Sequence, residues 1–449
     1  MNDTIAAIAT AQGVGAIAII RVSGDEAIDI VSKIFSNKKF IDAPSHTIHY
    51  GYIVDKDEKI DEVLVSLMRT PKTFTKEDVV EINTHGGINT TNKVLELLLS
   101  HGCRLAVPGE FTKRAFLNGR IDLTEAEGVM DLINAKTDKA RTMALNQVGG
   151  KASNLIKNLR SDLASILANI EVNLNYPEYE DIEEMTTLKI KDSMGDLEEK
   201  VNQIIRASKN GELLKEGIKT VIVGRPNVGK SSLLNTLIGK EKAIVTEIQG
   251  TTRDSVEATL IFDNIILNLI DTAGIRKTND LVESIGVEKS LSLIDEADLV
   301  LLVLNYNEKL SDDDYKLINK LKGKNYITII NKCDLPKVID DSGLENIVYV
   351  SAYKGTNIKG IEDKIKELFN LEKIETDDMS YLGSARSLAI LNEVKEAIVD
   401  VNNGLELGFT LDMIEIDLKR IWNLLGSIIG DNYDDELIDE LFSRFCVGK

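Results

Sequence analysis

The chain has 449 residues, 43% of them hydrophobic and 28% charged, with a formal net charge of −20. That length gives room for about two to four domains, and so acidic a composition excludes a generally basic nucleic-acid-binding surface. No apolar run reaches the roughly eighteen residues of a membrane helix, the three cysteines are too few for a disulfide framework, and Met1-Asn2-Asp3-Thr4 lacks the basic start of a signal peptide, so a cytoplasmic protein without a membrane partner is expected.

Residues 1–118 mix short strands and turns. Ala16-Ile17-Ala18-Ile19-Ile20, His49 to Val54 and Glu62 to Leu67 read as strands, and Lys93 to Leu99 as a helix ending near Gly102, which makes an α+β domain. From residue 119 the pattern turns helical, through 119–215. Thr124-Glu125-Ala126-Glu127 fits a capping box, with Thr124 as cap and Glu127 reaching back. Leu155, Leu159, Leu163, Ile166, Leu167 and Ile170 keep a helical period, a turn falls at Tyr176-Pro177, and a second helix runs from Leu188 to Leu214.

An α/β nucleotide domain is expected over 216–372. The run Thr220-Val221-Ile222-Val223 reads as a buried strand and Ser232 to Ile238 as a helix. Between them, Gly224-Arg225-Pro226-Asn227-Val228-Gly229-Lys230-Ser231 fits G-x-x-x-x-G-K-[ST], a phosphate-binding loop. Its glycines let backbone N–H groups close on phosphate oxygens, aided by the helix N-terminus. Lys230 would reach the β- and γ-phosphates and Ser231 would hold Mg²⁺. Asp271-Thr272-Ala273-Gly274 follows the strand Ile265 to Ile270 and suits Mg²⁺ and γ-phosphate sensing. Asn331-Lys332-Cys333-Asp334 follows the strand Tyr326 to Ile330. The Asp334 carboxylate can accept two N–H bonds from guanine that adenine cannot offer, which selects GTP over ATP. Ser351-Ala352, after Ile347 to Val350, completes the base pocket. In Gly250-Thr251-Thr252-Arg253-Asp254 one threonine completes the Mg²⁺ shell, and spacing does not say which.

Many small GTPases orient the attacking water with a Gln just after D-x-x-G. Here that position is Ile275, so the domain is a slow binder or the water is held from elsewhere, with Arg276, Asp280 and Glu283 as nearby candidates. No arginine finger is evident, and Asn227 offers a side-chain oxygen for a monovalent cation by the phosphates.

Helices resume over 373–449, where 16 acidic side chains face 7 basic ones. Leu411 to Leu425 and Glu436 to Phe445 are amphipathic, and the two helical stretches are expected to pack as one all-α domain around the inserted nucleotide domain. The chain ends Cys446-Val447-Gly448-Lys449. Cys446 fits a prenylation site poorly. It reads either as a thiolate activated by Arg444 and Lys449 or as an ordinary tail cysteine.

A nucleotide domain set between helices, with a Cys-Val-Gly-Lys end, resembles the MnmE (TrmE) family of tRNA modification GTPases. Asp3-Thr4-Ile5-Ala6-Ala7, Arg21-Val22-Ser23-Gly24, Thr84-His85-Gly86-Gly87 and Pro108 to Asn118 extend the resemblance over essentially the full chain. The phosphate-loop and Gly-Thr-Thr-Arg-Asp motifs also occur in the Era and Der ribosome-assembly GTPases, so the two chain ends decide the assignment. A GTP-driven ribosome-assembly switch is the first alternative. A folate-dependent transferase using its G domain only as a clamp is the second.

The resemblance implies a homodimer through the N-terminal domain, working with the FAD-binding protein MnmG in a heterotetramer. The complex would install an aminomethyl or carboxymethylaminomethyl group at carbon 5 of the wobble uridine of certain tRNAs. FAD would sit on the partner only. The N-terminal domain would hold 5-formyl- or methylene-tetrahydrofolate, with Arg21, Glu81, Arg120 and Lys449 matching the folate positions and Cys446 the cysteine needed for modification. GTP would touch Asn227, Val228, Gly229, Lys230, Ser231 and Ser232, the stretch Thr246, Glu247, Ile248, Gln249, Gly250, Thr251 and Thr252, then Asp271, Thr272, Ala273, Gly274, Asn331, Lys332, Asp334, Ser351 and Ala352. Thr252 matches the Mg²⁺ threonine, beside Ser231. Asn227, Thr246, Ile248 and Thr251 match a K⁺ shell standing where an arginine finger would put its charge. Glu283 matches the carboxylate that orients the water through a bridging water.

Overall fold

A computed structural model describes residues 3–175, 187–239, 256–262, 265–270, 293–371, 382–433 and 435–448. The chain divides into two units, 1–130 with 153–185 and 407–449, and 131–152 with 186–406.

In the first unit the strands are β1 (Ile5–Ile8), β2 (Ile17–Ser23), β3 (Thr47–Asp55), β4 (Glu58–Met68), β5 (Val79–His85) and β6 (Arg104–Leu105). They form a six-stranded sheet in the order β3-β4-β5-β2-β1-β6, antiparallel except where β6 runs parallel to β1. Strand alternation sends Ile20, Val22, Val65 and Ile82 to one face, where α1 (Ala27–Ile34) and α2 (Ile88–Ser100) cover them with Ile30, Val31, Ile34, Val94 and Leu98. Each such fully buried side chain contributes about 1.5–3 kcal/mol. On the other face, register aligns Ile48, Ser66, Glu81 and Arg21 in one row and Tyr50, Leu64 and Asn83 in the next. Helix α3 (Glu110–Leu117) covers the β1 end of that face, packing Phe111 on Ile5 and Ala7. The β3–β4 end leaves Ile17, Ile48, Tyr50 and Leu64 exposed. A hollow of about 370 Å³ there is lined by Ile17, Tyr50, Leu64, Asn83 and His85.

Helix α4 (Leu123–Asn134) begins earlier than the Thr124 capping box predicts. Asp122 is the cap: its carboxylate accepts the Glu125 N–H at 3.1 Å while the Glu125 carboxylate accepts the Asp122 N–H at 2.8 Å. Both spacings fit the motif. Leu123 decides between them, because burying it in the cluster with Phe116 and Phe442 starts the helix one residue after Asp122. Helices α5 (Asp138–Val148), α6 (Lys151–Asn175) and α7 (Thr187–Glu216) follow.

The second unit holds β7 (Ile218–Val223), β8 (Val256–Phe262), β9 (Ile265–Ile270), β10 (Leu299–Asn305), β11 (Tyr326–Asn331) and β12 (Ile347–Tyr349), in the order β12-β11-β10-β7-β9-β8. All pairs are parallel except β8 with β9. Every residue of β10, Leu-Val-Leu-Leu-Val-Leu-Asn, is buried, as a parallel strand covered on both faces requires. One face carries α8 (Lys230–Ile238) and α10 (Lys359–Leu368), and the other carries α9 (Asp312–Lys320). In such sheets the loops at the carboxyl ends of the strands make the binding crevice.

Helix α7 pairs antiparallel with α11 (Ala385–Glu406): Lys191 meets Glu406 at one end, and Lys215 donates to the Gly383 carbonyl at the other, at 3.1 Å. Lys215 also lies 2.5 Å from the buried Asp131 carboxylate. Burial pushes the Asp131 carboxyl up, against the pull of Lys215. In the first unit, α12 (Leu411–Ile429) runs beside α6, with Arg160 stacked on Trp422 at 4.0 Å and paired with Asp431, and α13 (Asp435–Ser443) seats Phe442 beside Phe116.

Arg114, 1% exposed, gathers Asp3, Glu77 and Glu110 around one guanidinium, and Arg104 grips Asp3 and Glu110 from outside. The Arg104 hydrogen bond holds Asp3 below the usual carboxylate range. Burial pushes Glu110 up, but Arg104, the Val107 N–H and Arg114 outweigh it and leave it low. Removing one member of a buried ion group costs about 3–5 kcal/mol, whereas an exposed pair is worth under about 1 kcal/mol. Arg114→Ala should therefore destabilise the chain by about 3–5 kcal/mol in chemical denaturation, and Arg141→Ala, whose pair with Asp138 is exposed, should not register. The pH dependence has a sign. Both carboxyls are depressed in the folded state, so their contribution is full above the ordinary carboxylate range and is lost as pH falls through the folded values. The loss of stability across that acid limb should be shallower in Arg104→Ala than in the unaltered chain.

Candidate functional site

The phosphate-loop residues lie between β7 and α8, as their spacing predicts. Asn227 and Gly229 both take positive φ, 65° and 93°. At Gly229 a Cβ would stand 2.3 Å from Asn331 Nδ2, so only glycine fits that point. Lys230 Nζ donates to the carbonyls of Gly224 and Arg225, each at 2.8 Å, spanning the first half of the loop.

The Asn331-Lys332-Cys333-Asp334 and Ser351-Ala352 stretches meet the loop from the ends of β11 and β12. Asn331 Nδ2 donates to the Val228 carbonyl at 3.0 Å, while its Oδ1 accepts the N–H groups of Lys332 and Ala352 at 2.8 and 3.0 Å. Lys332 Nζ reaches the Asn227 carbonyl at 2.9 Å. Asn331 is thus a buried brace joining three separate segments. Ser351 Oγ donates to Asp334 at 2.6 Å, and that bond holds the exposed Asp334 carboxyl below its usual range, so it is an acceptor at neutral pH. Asn227, Val228, Gly229, Lys230, Asn331, Lys332, Asp334, Ser351 and Ala352 therefore converge, with Ser231 and Ser232 opening α8. Thr246, Glu247, Ile248, Gln249, Gly250, Thr251, Thr252, Asp271, Thr272, Ala273, Gly274 and Glu283 lie outside the described residues.

A second grouping lies in the other unit. Arg21 and Glu81 are register partners on β2 and β5, joined at 2.8 Å. Arg21 Nη1 donates to the Gly448 carbonyl at 3.0 Å, and its guanidinium stands 5.7 Å from the Phe111 ring. Phe74 packs on the Phe111 cluster, and Arg120 stands over Phe74 at 4.9 Å. The C-terminal tail is moored on both sides of Cys446: Phe445 is buried against Phe442, the Gly109 N–H donates to the Cys446 carbonyl at 3.2 Å, and Gly448 lies so close to β1 that a Cβ would meet the Ile8 carbonyl at 2.6 Å. Cys446 itself is exposed. Arg444, expected to act on the thiol, is paired with Glu440 at 2.8 Å. Lys449 lies outside the described residues. Sequence reading missed the Arg114 cluster; the Glu110/Arg114 spacing of four on a helix was the available signal.

A Gly-x-x-x-x-Gly-Lys-Ser loop between a parallel strand and a helix, braced by Asn331 and faced by Asp334, defines a P-loop GTPase domain. No helix among the described residues is long and apolar enough to cross a membrane. The family model of the MnmE helical domain matches residues 123–446, and that of the GTP-binding protein TrmE N-terminus matches residues 4–120. The chain is 52% identical over 449 residues to the tRNA modification GTPase MnmE of Streptococcus mutans, covering 100% of this chain and 99% of that one. It is 51% identical over 458 positions to that of Bacillus subtilis, covering 100% of each. The chain belongs to the MnmE family of tRNA modification GTPases, and the two ribosome-assembly families that share its phosphate loop are set aside.

The mooring of the tail rests on a close approach that tolerates no side chain. Gly448→Ala should raise amide hydrogen exchange at Gly109 and along 446–448 while leaving the exchange of β7 and α8 unchanged; equal protection in both proteins would show that the tail is held elsewhere.

Proposed function

We propose that this chain hydrolyses GTP in a K⁺-dependent manner, activated when G domains dimerise, and that with MnmG it adds an aminomethyl or carboxymethylaminomethyl group to carbon 5 of the wobble uridine of certain tRNAs in the cytoplasm. The observation that carries the reading is the meeting of Arg21, Glu81 and the Gly448 carbonyl beside exposed Cys446, in a chain whose other unit is a GTPase domain. The domains proposed are 1–118, 119–215, 216–372 and 373–449. The exposed apolar side chains of Ile17, Ile48, Tyr50 and Leu64 on one sheet face support a homodimer through the first domain.

In this reading the loop N–H groups and Lys230 hold the phosphates, and Asp334, oriented by Ser351, accepts the guanine N–H groups. Mg²⁺ suits the Ser231 hydroxyl in the first turn of α8, next to the glycine that admits no Cβ, with Thr252 as its second protein ligand. Asn227, exposed at the loop with its backbone fixed by Lys332, suits K⁺, with Thr246, Ile248 and Thr251 completing that shell. Bound at these residues, the two cations would supply positive charge against that developing on the phosphates. Glu283 orients the attacking water, which Ile275 cannot do. Arg21 and Arg120, each over an aromatic ring, suit a flat anionic folate, with Glu81 orienting Arg21 and the Lys449 ammonium as the cation for the glutamate tail. Tetrahydrofolate, when bound, supplies the one-carbon unit. Cys446 acts in the modification itself.

Wobble nucleosides measured by mass spectrometry in cells lacking this chain should lose the modification. They should regain it with the unaltered chain and not with Cys446→Ser; a modification that never depended on the chain would refute the reading. Exchanging Na⁺ for K⁺ should raise GTP turnover, and Glu283→Ala should abolish turnover while GTP still binds. Equal rates in the two salts would remove K⁺ from the mechanism, and turnover surviving in Glu283→Ala would remove that carboxylate.

A further inference from the structure

Arg225 sits inside the phosphate loop, yet the GTP-site reading gives its side chain no role. Its Nε lies 2.8 and 2.9 Å from the two carboxylate oxygens of Asp314, and its Nη2 lies 3.4 Å from Glu308. Asp314 is 0% exposed. It is the third residue of α9, where its carboxylate also takes the N–H and hydroxyl of Ser311 in a complete capping box, each at 2.9 Å. Glu308 is held in turn by Asn305, the last residue of β10, at 2.7 Å. One guanidinium therefore spans two carboxylates on the segment that leads from β10 into α9. The backbone of the same residue supplies a carbonyl that holds Lys230 Nζ.

We propose that Arg225 is a positioning residue that ties the phosphate loop to the N-terminal cap of α9 and so fixes the carbonyl that aims Lys230. Among the described residues, the buried Asp314 carboxylate takes Ser311 on its cap side and the Arg225 guanidinium on the other, so loop and cap share one ion pair. The guanidinium fork is what the geometry uses: its Nε serves Asp314 while Nη2 serves Glu308, and a lysine ammonium could reach one of the two. Arg225 held in this way touches no phosphate. Its influence passes through the loop backbone, and it should act on nucleotide affinity more than on the chemical step, since a phosphate grip made equally in the ground and transition states changes KM without changing kcat.

The test uses the full-length chain, a fluorescent GDP analogue and steady-state GTP turnover. Arg225→Ala should weaken GDP binding and raise KM for GTP by about tenfold, with kcat at saturating GTP changed less than about twofold, and Arg225→Lys should recover part of the affinity. Asp314→Asn keeps the side-chain volume and an acceptor for Ser311 while removing the charge that faces Arg225, and should weaken GDP to a similar degree. That variant keeps the test valid should Arg225→Ala fail to fold. GDP binding by Asp314→Asn within about twofold of the unaltered chain would overturn the proposal, as would a fall in kcat at unchanged KM in either variant. GDP binding involves neither folate nor tRNA, so failure here and failure of the modification reading are separately visible.

Discussion

One buried guanidinium sets the geometry of the first unit. Arg114 reaches three carboxylates that come from the chain start, from the loop before β5 and from its own helix. Their mutual repulsion without it, and its isolation without them, leave a single arrangement in which α3 lies across β1. Phe111 is then pressed onto Ile5 and Ala7, and the Arg21 side chain has a ring beside it. The tail follows, because Gly109, which precedes that helix, supplies the N–H that Cys446 accepts. Ion pairing in the interior thus decides where an exposed thiol stands.

The GTPase domain follows a different logic. Its central strand β10 is buried along its whole length and aliphatic up to Asn305, so it offers a ligand no polar side chain before its carboxyl end. Polar side chains appear where the strands end, and there they serve one another first: Asn331 braces the phosphate loop, Ser351 holds Asp334, Lys332 reaches Asn227. Such cross-bracing keeps loops on a parallel sheet from moving independently, which is what preorganisation of a phosphate cradle requires.

Local patterns were legible and distant partners were not. The strand–loop–helix around Lys230, the strand Ile265 to Ile270 and the long helix from Leu188 stood out because their signals are contiguous and strong. Strand β1 did not, being four residues of Ile-Ala-Ala-Ile held by neighbours on both sides, and β5 was missed although Val80, Ile82 and Thr84 alternate with Glu81, Asn83 and His85 at the period of a half-buried strand. The cap of α4 was misplaced by two residues because two capping patterns overlap and only the burial of Leu123 separates them. Arg21 and Glu81 came from family likeness; their register partnership is a property of the sheet. Arg225 was visible as a residue of the loop, but its partner lies on another helix, far along the chain, and no spacing rule connects them.

The pairing of α7 with α11 has one more consequence. Residues 208 and 215 touch residues 382 and 383, so the long excursion between them leaves and returns at a single place. For the helices on either side, that excursion is a loop whose ends are already joined, and closing such a loop costs little more for a whole domain than for a short turn. The helical hairpin can therefore host an inserted domain at small cost in loop-closure entropy. The GTPase leaves and re-enters the helical frame at that one place, and its core meets the frame there through Leu213 and Leu214, with Asn268 donating to the Glu216 carbonyl.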